Sequence, residues 1–515
     1  MKECMIVDVP LSNIAILKAT LSLTDSSSIK AKPGRLGLNG EDSASVVVEF
    51  ENDKPSNNDW IAVFSPAKFN GSICDLENDP RADVPYICSA PIKYQFANFS
   101  DHNYANTGKA SLKLQLINQR SDFSFALFRG GLSNPKLLAV SNSISFVNPR
   151  APVCPRLALG KSWNEMTVTW TSGYNIDKAV PFVEWRWKGG KKTHSPAGTL
   201  TFGRRSMCGS PARSVGWRHP GWIHTSFLKD LWPNTVYTYK LGHLLSNGSY
   251  IWSKMYSFRS SPYPGQDSLH RVIIFGDMGK GERDGSNEYN NYQPGLLHTT
   301  DQLINDLNDI DIVFHIGDIT YANGYISQWD QFTAQVEPIA STVSYMITSG
   351  NHERDWPRTG SFYGGTDSGG ECGVPAETMF YVPADNRAKF WPVAIVLEMI
   401  RVENTTPQDL LKLQYAIAKR SAQANISAAD GLLFFNHGIY VSRVSCVHSD
   451  ILSSMTLRQR DIRARNIHSR ASQLLSVVQE CGLIFAVMTR PTPYAMIRNR
   501  SPIGFNSALA NLGYG

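Results

Sequence analysis

The sequence lacks the features that would place it in a membrane or on a nucleic acid. No run of 18 apolar residues occurs in its 515 residues, so it predicts no membrane-spanning helix. The net charge is only +6, and residues 393–515 carry all of it, with 13 Lys and Arg against 7 Asp and Glu. The residues before them hold 37 charges of each sign. We therefore expect neither a nucleic-acid partner nor a membrane partner.

Other signals are missing as well. Residues 1–10 lack the charged-then-apolar layout of a secretory signal. The glycine-rich segment 359–373 lacks the Lys-Ser or Lys-Thr pair and the following helix of a phosphate-cradling loop, so we predict a plain loop, with a mobile rim over a site as the functional alternative. His219 and His224 have no acidic or cysteine partner at ligand spacing. They are predicted to be surface or packing residues.

The length and the pattern of apolar runs predict several domains. A chain of 515 residues, 42% hydrophobic, suggests about three domains with their own cores. Short β-branched and aromatic runs between turn residues predict β-sandwich domains over residues 1–150 and 151–264. Residues 265–392 predict an α/β domain, and residues 393–515 an atypical tail. The expected fold class is therefore multidomain β plus α/β.

Three apolar runs between residues 271 and 355 each end in side chains that can bind a metal ion. They are Arg271–Gly276 before Asp277-Met278-Gly279, Asp311–Ile316 before Gly317-Asp318-Ile319-Thr320-Tyr321, and Val343–Thr348 before Gly350-Asn351-His352-Glu353. Segments with helical spacing, Leu296–Leu307 and Trp329–Ile339, separate them. The pattern predicts strand, helix, strand, helix, strand in a parallel sheet, and sites in such sheets lie beyond the carboxyl ends of the strands.

The side chains at these strand ends are mainly oxygen donors. Asp277, Asp318, Tyr321 and Asn351 suit iron(III), manganese, magnesium or zinc, and they do not suit copper(I) or a thiolate site. Asp318 lies in the middle loop, where one carboxylate could bridge two ions and so support phosphoryl transfer. Asp and Gly after a strand are also ordinary turn residues. Three consecutive strand ends of this kind favour a metal site.

These motifs resemble the first three of the five metal-ligand motifs of the purple acid phosphatases. Gly279 and Tyr321 distinguish that branch from the wider metallophosphoesterase superfamily, which typically has Asp-x-His first and no tyrosine in the second motif. The resemblance implies that Asp277 and Tyr321 bind Fe(III), that Asp318 bridges, and that Asn351 binds a second, divalent metal (Zn, Mn or Fe). It also implies that His352 is a catalytic residue that contacts the substrate phosphate.

The long plant-type members of that family are the most similar, over residues 10–391. Leu231–Tyr239 resembles the fibronectin type III signature, in which a proline turn leads into a tyrosine-bearing strand. The resemblance implies two N-terminal β-sandwiches, the second fibronectin type III-like, followed by a metallophosphoesterase domain.

Beyond Pro392 the motif resemblance stops. The family's Val-x-x-His and Gly-His-x-His motifs are not found, and the remaining histidines, His437, His448 and His468, have neither context. No tryptophan follows Trp391, although the chain has 12. We expect an incomplete catalytic domain and a poorly ordered tail, with an altered reading frame, retained intron or alternative exon as its origin.

Several features favour an oxidising compartment. The sequons at Asn70, Asn98 and Asn247 lie in polar, turn-like surroundings, and a Cys74–Cys88 disulfide could close the short polar segment between the two cysteines. Two buried free thiols are the alternative. We expect a glycosylated, secreted protein whose signal peptide is not in this sequence.

The expected function is hydrolysis of phosphate monoesters by a dinuclear Fe(III)–M(II) acid phosphatase, inactive or weakly active in this form. A phosphodiesterase or nucleotide pyrophosphatase with the same site and a catalytically silent β-sandwich binding protein are the alternatives. The expected partner is a phosphate ester, and a homodimer is left open.

The sequence also makes a geometric prediction. Because the carboxyl ends of parallel strands share one edge of a sheet, Asp277, Asp318, Tyr321 and Asn351 should converge on one pocket. A structure that places Asp277 and Asp318 at opposite ends of the sheet contradicts it.

Overall fold

The computed structural model describes most of the chain up to residue 381. The described residues are 20, 21, 23, 26–67, 90–263, 271–286, 293–359 and 365–381, with the backbone of five short strands between residues 434 and 498. Among them, no helix combines the length and apolarity needed to cross a membrane.

The first unit is a sandwich of two mainly antiparallel layers with small additions. Its strands are β1 Thr20–Leu21, β2 Ser27–Lys32, β3 Arg35–Leu36, β4 Ser43–Asn52, β5 Trp60–Phe64, β6 Lys93–Phe96, β7 Lys109–Ile117, β8 Ser124–Arg129, β9 Lys136–Val140 and β10 Ser145–Phe146. One sheet has the order β1-β9-β8-β5-β6 and the other β2-β4-β7. A short helix, α1 (Tyr104–Thr107), precedes β7.

Strand β5 shows why this unit folds as layers. Its residues are all buried, because Ile61 and Val63 face the core between the sheets while Trp60, Ala62 and Phe64 pack in a second apolar cluster. Strands β2 and β4 instead alternate buried and exposed residues, as strands with one solvated face do. The predicted first β-sandwich is confirmed.

The second unit is also all-β. Its strands are β11 Val153–Leu159, β12 Met166–Ser172, β13 Ala179–Trp187, β14 Thr193–Leu200, β15 Trp222–Leu228, β16 Val236–Leu245, β17 Tyr250–Trp252 and β18 Tyr256–Arg259. The tyrosines of the predicted signature are buried in its core. Tyr237 accepts a hydrogen bond from the Trp232 amide (2.8 Å), and Tyr239 donates one to the carbonyl of Ser341 (2.7 Å).

The third unit has the predicted order of strands and helices. It comprises β19 Val272–Phe275, α2 Gln293–Asn305, β20 Ile312–Ile316, α3 Ser327–Ala340, β21 Ser344–Thr348, α4 Asn351–Arg354 and α5 Val374–Met379. Strands β19, β20 and β21 are parallel neighbours. Strand β11 adds to this sheet through the parallel pair Leu157–Ser344, so the second and third units share one sheet.

The predicted poorly ordered tail lies almost entirely outside the described residues and stays a prediction. Its described strands are β22 Phe434–Phe435, β23 Val444–His448, β24 Ile451–Met455, β25 Ile484–Met488 and β26 Tyr494–Arg498. They hydrogen-bond to one another in two small sheets, and β23 passes close to β19.

Two histidines of the second unit are fully buried packing residues. His224 lies between Ser172 Oγ and Thr199 Oγ1, at 2.8 Å from each. The Nε2 of His243 accepts a hydrogen bond from Trp170 Nε1 at 3.1 Å. Burial lowers the pKa of His224 to about 2 and that of His243 to about 4. The packing interpretation of His224 agrees with this geometry.

These histidines predict an acid-sensitive second unit. Below pH 6.5 the unfolded chain binds protons that the folded histidines do not, so the free energy of unfolding should fall by about 1.4 kcal/mol per pH unit and histidine. The loss should continue until the pKa of each folded histidine is reached.

In thermal unfolding, the double variant His224→Gln/His243→Gln should lose less stability than the parent between pH 7 and pH 5. Glutamine can still accept the Trp170 bond, and His102→Gln is the exposed control. Equal slopes for parent and double variant would contradict the assignment.

Candidate metal and phosphate site

The site is built from backbone turns at the ends of β19 and β20. Asp277, Asp318 and Tyr321 all have positive φ angles (57°, 48° and 50°), a conformation that is uncommon for side-chain-bearing residues and is often found at functional sites. A Cβ atom at Gly350 would collide with Asp318. Glycine therefore lets the end of β21 approach the end of β20 closely.

The structure brings four of the five predicted residues into contact. The Tyr321 hydroxyl donates a hydrogen bond to Asp277 Oδ1 (3.0 Å), and the His352 amide donates one to Asp318 Oδ1 (3.1 Å). The ring centroids of Tyr321 and His352 lie 4.4 Å apart. Asn351 is the first residue of the adjoining helix α4, and its Nδ2 donates to Asp367 Oδ2 at 2.9 Å. The strand ends thus meet at one edge of the sheet, and the ligand roles of these residues stay a prediction.

Two carboxyl groups lie buried beneath the exposed Asp277. Burial raises the pKa of Asp318 well above its usual range, and the nearby Glu353 and Asp277 raise it further. Burial likewise raises the pKa of Glu353 to about 7, although the amides of Gly350 (2.9 Å) and Ile319 (2.8 Å) donate hydrogen bonds to it. Like charges this close disfavour full ionisation. A bound cation would relieve that repulsion.

Burial and neighbouring charges also shift the pKa values of Tyr321 and His352. Burial, Asp318 and Asp277 all raise the pKa of Tyr321, which agrees with a neutral phenol that donates a hydrogen bond to Asp277. Burial lowers the pKa of His352, against the attraction of Asp367 and Asp277. The Nδ1 atom of His352 lies 2.8 Å from Asn323 Oδ1. Since the amide oxygen can only accept, this contact places the ring proton on Nδ1.

The described residues fit part of a metal centre. Asp277, Asp318 and Tyr321 offer two carboxylates and a phenol, a set suited to one hard cation. Within the described ranges, however, no group of three or more His, Cys, Asp and Glu side chains is arranged to hold a metal ion. The dinuclear centre implied by the resemblance is therefore not assembled by these residues alone.

Sequence reasoning missed three contributors to the site. Asp367 lies in the glycine-rich segment predicted to be a plain loop, yet it contacts Asn351. Asn323 orients His352. A disulfide joins Cys208 of the second unit to Cys372, 164 residues apart, and no local pattern reveals such a pairing. None of these three has a signal in the local sequence. Glu353 does have one: it stands three residues after Gly350, and a glutamate at that spacing often marks the first turn of a helix.

The remaining predicted sites stay predictions. The predicted Cys74–Cys88 disulfide and the sequon at Asn70 lie outside the described residues. Asn247 is exposed and Asn98 half-buried. Asn98 Nδ2 donates to Asn57 Oδ1 at 3.3 Å. Glycosylation at these two positions stays a prediction.

A cavity of about 710 Å³ lies between the three units, away from this site. Asp42, Cys154 and Asp330 line it, and none of the predicted site residues does. Several of its acidic and basic side chains pair with one another, as in the contacts of Arg120 with Asp330 and of Lys254 with Glu337. The cavity is therefore not assigned to the chemistry of the strand ends.

Comparison with known proteins decides the family. Residues 29–148 match the Fn3-like domain from purple acid phosphatase, residues 152–260 the N-terminal domain of purple acid phosphatase, and residues 270–476 the calcineurin-like phosphoesterase domain. The chain belongs to the purple acid phosphatase family. The third match extends past Pro392, where the motif resemblance stops.

Individual purple acid phosphatase relatives agree. "Probable inactive purple acid phosphatase 27" of Arabidopsis thaliana is 69% identical over 384 residues, 75% of this chain and 62% of that one. The structure of purple acid phosphatase PPD1 from yellow lupin seeds is 69% identical, with a TM-score of 0.68, covering 72% of this chain and 64% of that one. A "Nucleotide pyrophosphatase/phosphodiesterase" of Hordeum vulgare is 70% identical over 146 residues, 28% of this chain and 40% of that one. The chain thus spans less than two thirds of these relatives.

The charge repulsion at the site predicts a stability effect. Without metal, Asp318→Asn should raise the free energy of unfolding by about 1–3 kcal/mol, because it removes a buried like charge and keeps the acceptor for the His352 amide. Thermal unfolding in EDTA measures the change, with exposed Asp177→Asn as the matched control. A lower melting temperature for Asp318→Asn would show that the carboxylate itself stabilises the apo fold.

Proposed function

We propose that this site serves metal-dependent hydrolysis of phosphate monoesters. The observation that supports it is the contact of Tyr321 with Asp277 next to the buried Asp318, at the ends of neighbouring parallel strands. Asp277, Tyr321 and Asp318 would hold Fe(III), and Asp318 and Asn351 a divalent Zn, Mn or Fe ion. When bound, the two metal ions would withdraw negative charge from the phosphate and would lower the pKa of a coordinated water.

The protein's own contribution centres on His352. Asn323 holds its Nδ1, so Nε2 is the nitrogen left to face a phosphate ester. Because burial lowers the pKa of His352, its doubly protonated form is populated only in acid. A proton donated to the leaving group therefore favours an acid optimum. Asp277 and Asp367 are both exposed, so this side of the site is open to solvent.

We further propose that turnover by this chain is low. The resemblance supplies four ligands, one of them shared, and no imidazole ligand lies among the described residues that meet at the site. Ligand number and geometry set metal affinity, so the ions would be weakly held. The names of the Arabidopsis relatives, which call them probably inactive, point the same way.

A chimera tests this proposal. As it stands, the chain should show little hydrolysis of an aryl phosphate and little visible absorbance with Fe(III) and Zn(II) present. Replacing residues 392–515 with a family segment that carries Val-x-x-His and Gly-His-x-His should restore both together. Tyr321→Phe in the chimera should remove the visible band, because its source would be the tyrosinate.

The parent chain supplies the contradicting outcome. Robust turnover by it at mildly acidic pH would show that other side chains replace the missing ligands. A chimera that binds Fe(III) without colour would refute the role of Tyr321.

A second candidate is phosphodiester or nucleotide pyrophosphate hydrolysis. The barley relative with that name, 70% identical over 146 residues, favours it. The chimera should then cleave a bis-aryl phosphate or a dinucleotide pyrophosphate faster than the monoester. If neither chain nor chimera hydrolyses any of these esters, a catalytically silent role for the two β-sandwiches in binding a partner or glycan is the better account.

We also propose an extracellular, glycosylated protein. The Cys208–Cys372 disulfide suits an oxidising compartment, and Asn247 lies on the surface with its side chain accessible. Peptide mapping of protein secreted from a eukaryotic host tests both features.

A further inference from the structure

The first sandwich reaches into the loop that follows Asp277. Lys93, on β6, is fully buried, and its Nζ lies 2.6 Å from Asp284 Oδ2 and 3.3 Å from Glu282 Oε2. The same amino group donates to the carbonyl of Gln115. One lysine thus ties the two strands β6 and β7 of the first unit to a loop of the third.

Further bonds hold the same loop. Gln95 Nε2 donates to the carbonyl of Gly285 (2.6 Å), and the Gln115 amide donates to Asp284 Oδ2 (2.7 Å). The Phe99 ring packs where a side chain at position 285 would lie. Residues 282–286 are therefore fixed by contacts outside their own domain.

The charges make this contact hard to open. The side chains of Lys93, Lys280, Glu282 and Asp284 are 0%, 1%, 10% and 8% exposed. Burial lowers the pKa of Lys93, but Glu282 and Asp284 outweigh it and raise the pKa, so the lysine stays charged. Removing one member of a buried pair leaves an uncompensated charge, which is strongly destabilising. If the loop moved away, the charged Lys93 would remain buried without its carboxylate partners.

The tether continues to the site. Lys280 Nζ contacts Glu282 Oε1 at 3.3 Å, and the Gly281 amide donates to Gln335 Oε1 at 2.9 Å. Asp277 itself has a φ of 57°, a conformation that persists only where the surroundings impose it. The Asp277 amide donates a hydrogen bond to the carbonyl of Gly317 (3.2 Å), and the Gly279 amide donates one to the carbonyl of Ile319 (3.1 Å).

We infer that Lys93 is a positioning residue for Asp277, so that the first sandwich acts as part of the metal site's scaffold. It acts through Asp284 and Glu282, which fix the loop beyond Gly279. The consequence for cation binding rests on the proposed function, whereas the consequence for the loop does not.

Hydrogen exchange of the full chain tests the inference. In Lys93→Met, which keeps the length and removes the charge, the amides of Asp277 and Gly279 should exchange at least tenfold faster. Amides of β20 and β12 should exchange at the parent rate. Lys32→Met is the matched control, because Lys32 forms an exposed ion pair with Glu49 in the same unit, and it should change neither set.

Cation affinity gives the second measurement. The dissociation constant for Mn²⁺, measured from the signal of the free ion, should rise about tenfold in Lys93→Met. Asp284→Asn should raise it similarly, and the double variant should add little, because both act through one contact. Gln95→Leu, a milder change, should give a smaller acceleration of exchange if Lys93→Met does not fold.

The outcomes separate the two proposals. Unchanged exchange at Asp277 and Gly279 in both Lys93→Met and Gln95→Leu overturns the inference, as does faster exchange throughout the chain. Faster local exchange with unchanged Mn²⁺ affinity overturns the link to the site. If the parent chain binds Mn²⁺ too weakly to measure, as weakly held ions predict, the same affinities are measured in the chimera. A chimera that binds no Mn²⁺ counts against the proposed function, and the exchange rates then decide the role of Lys93.

Discussion

Burial of Asp318 and Glu353 at the ends of parallel strands is the constraint on which the site depends. Burial raises the pKa of Asp318, and the nearby Glu353 and Asp277 raise it further, so the arrangement carries electrostatic strain. Amide donors at Ile319, Gly350 and His352 offset part of it. The positive φ angles of Asp277 and Asp318 add backbone strain at the same place. A fold that held these groups loosely would separate them.

The neighbouring units supply the necessary rigidity from two sides. The first sandwich holds the loop after Asp277 through Lys93. On the other flank, the Cys208–Cys372 disulfide fixes the loop that carries Asp367. Buried Arg156, from β11, donates from its Nε to the carbonyl of Met379 at the end of α5 (2.8 Å). Neither sandwich carries the predicted ligands, yet both bear on their positions.

The sequence predicted what local pattern encodes. Continuous apolar runs indicated β19, β20 and β21, and helical spacing indicated α2 and α3 within a few residues of their ends. The meeting of Asp277, Asp318 and Tyr321 followed from the parallel order of those strands. Asp367, the disulfide and Lys93 could not be predicted in this way, because each contact joins residues far apart in the chain. Such contacts depend on how the domains pack against one another, and the periodicity of apolar residues does not predict that packing.

The most direct test of this metal site is anomalous diffraction at the iron edge from crystals of the family chimera grown with Fe(III). We expect a peak within bonding distance of Asp277, Asp318 and the Tyr321 hydroxyl, with both aspartates at the ends of β19 and β20. A chimera that binds iron only elsewhere, or a site that stays free of iron while the strand ends keep this geometry, would contradict it.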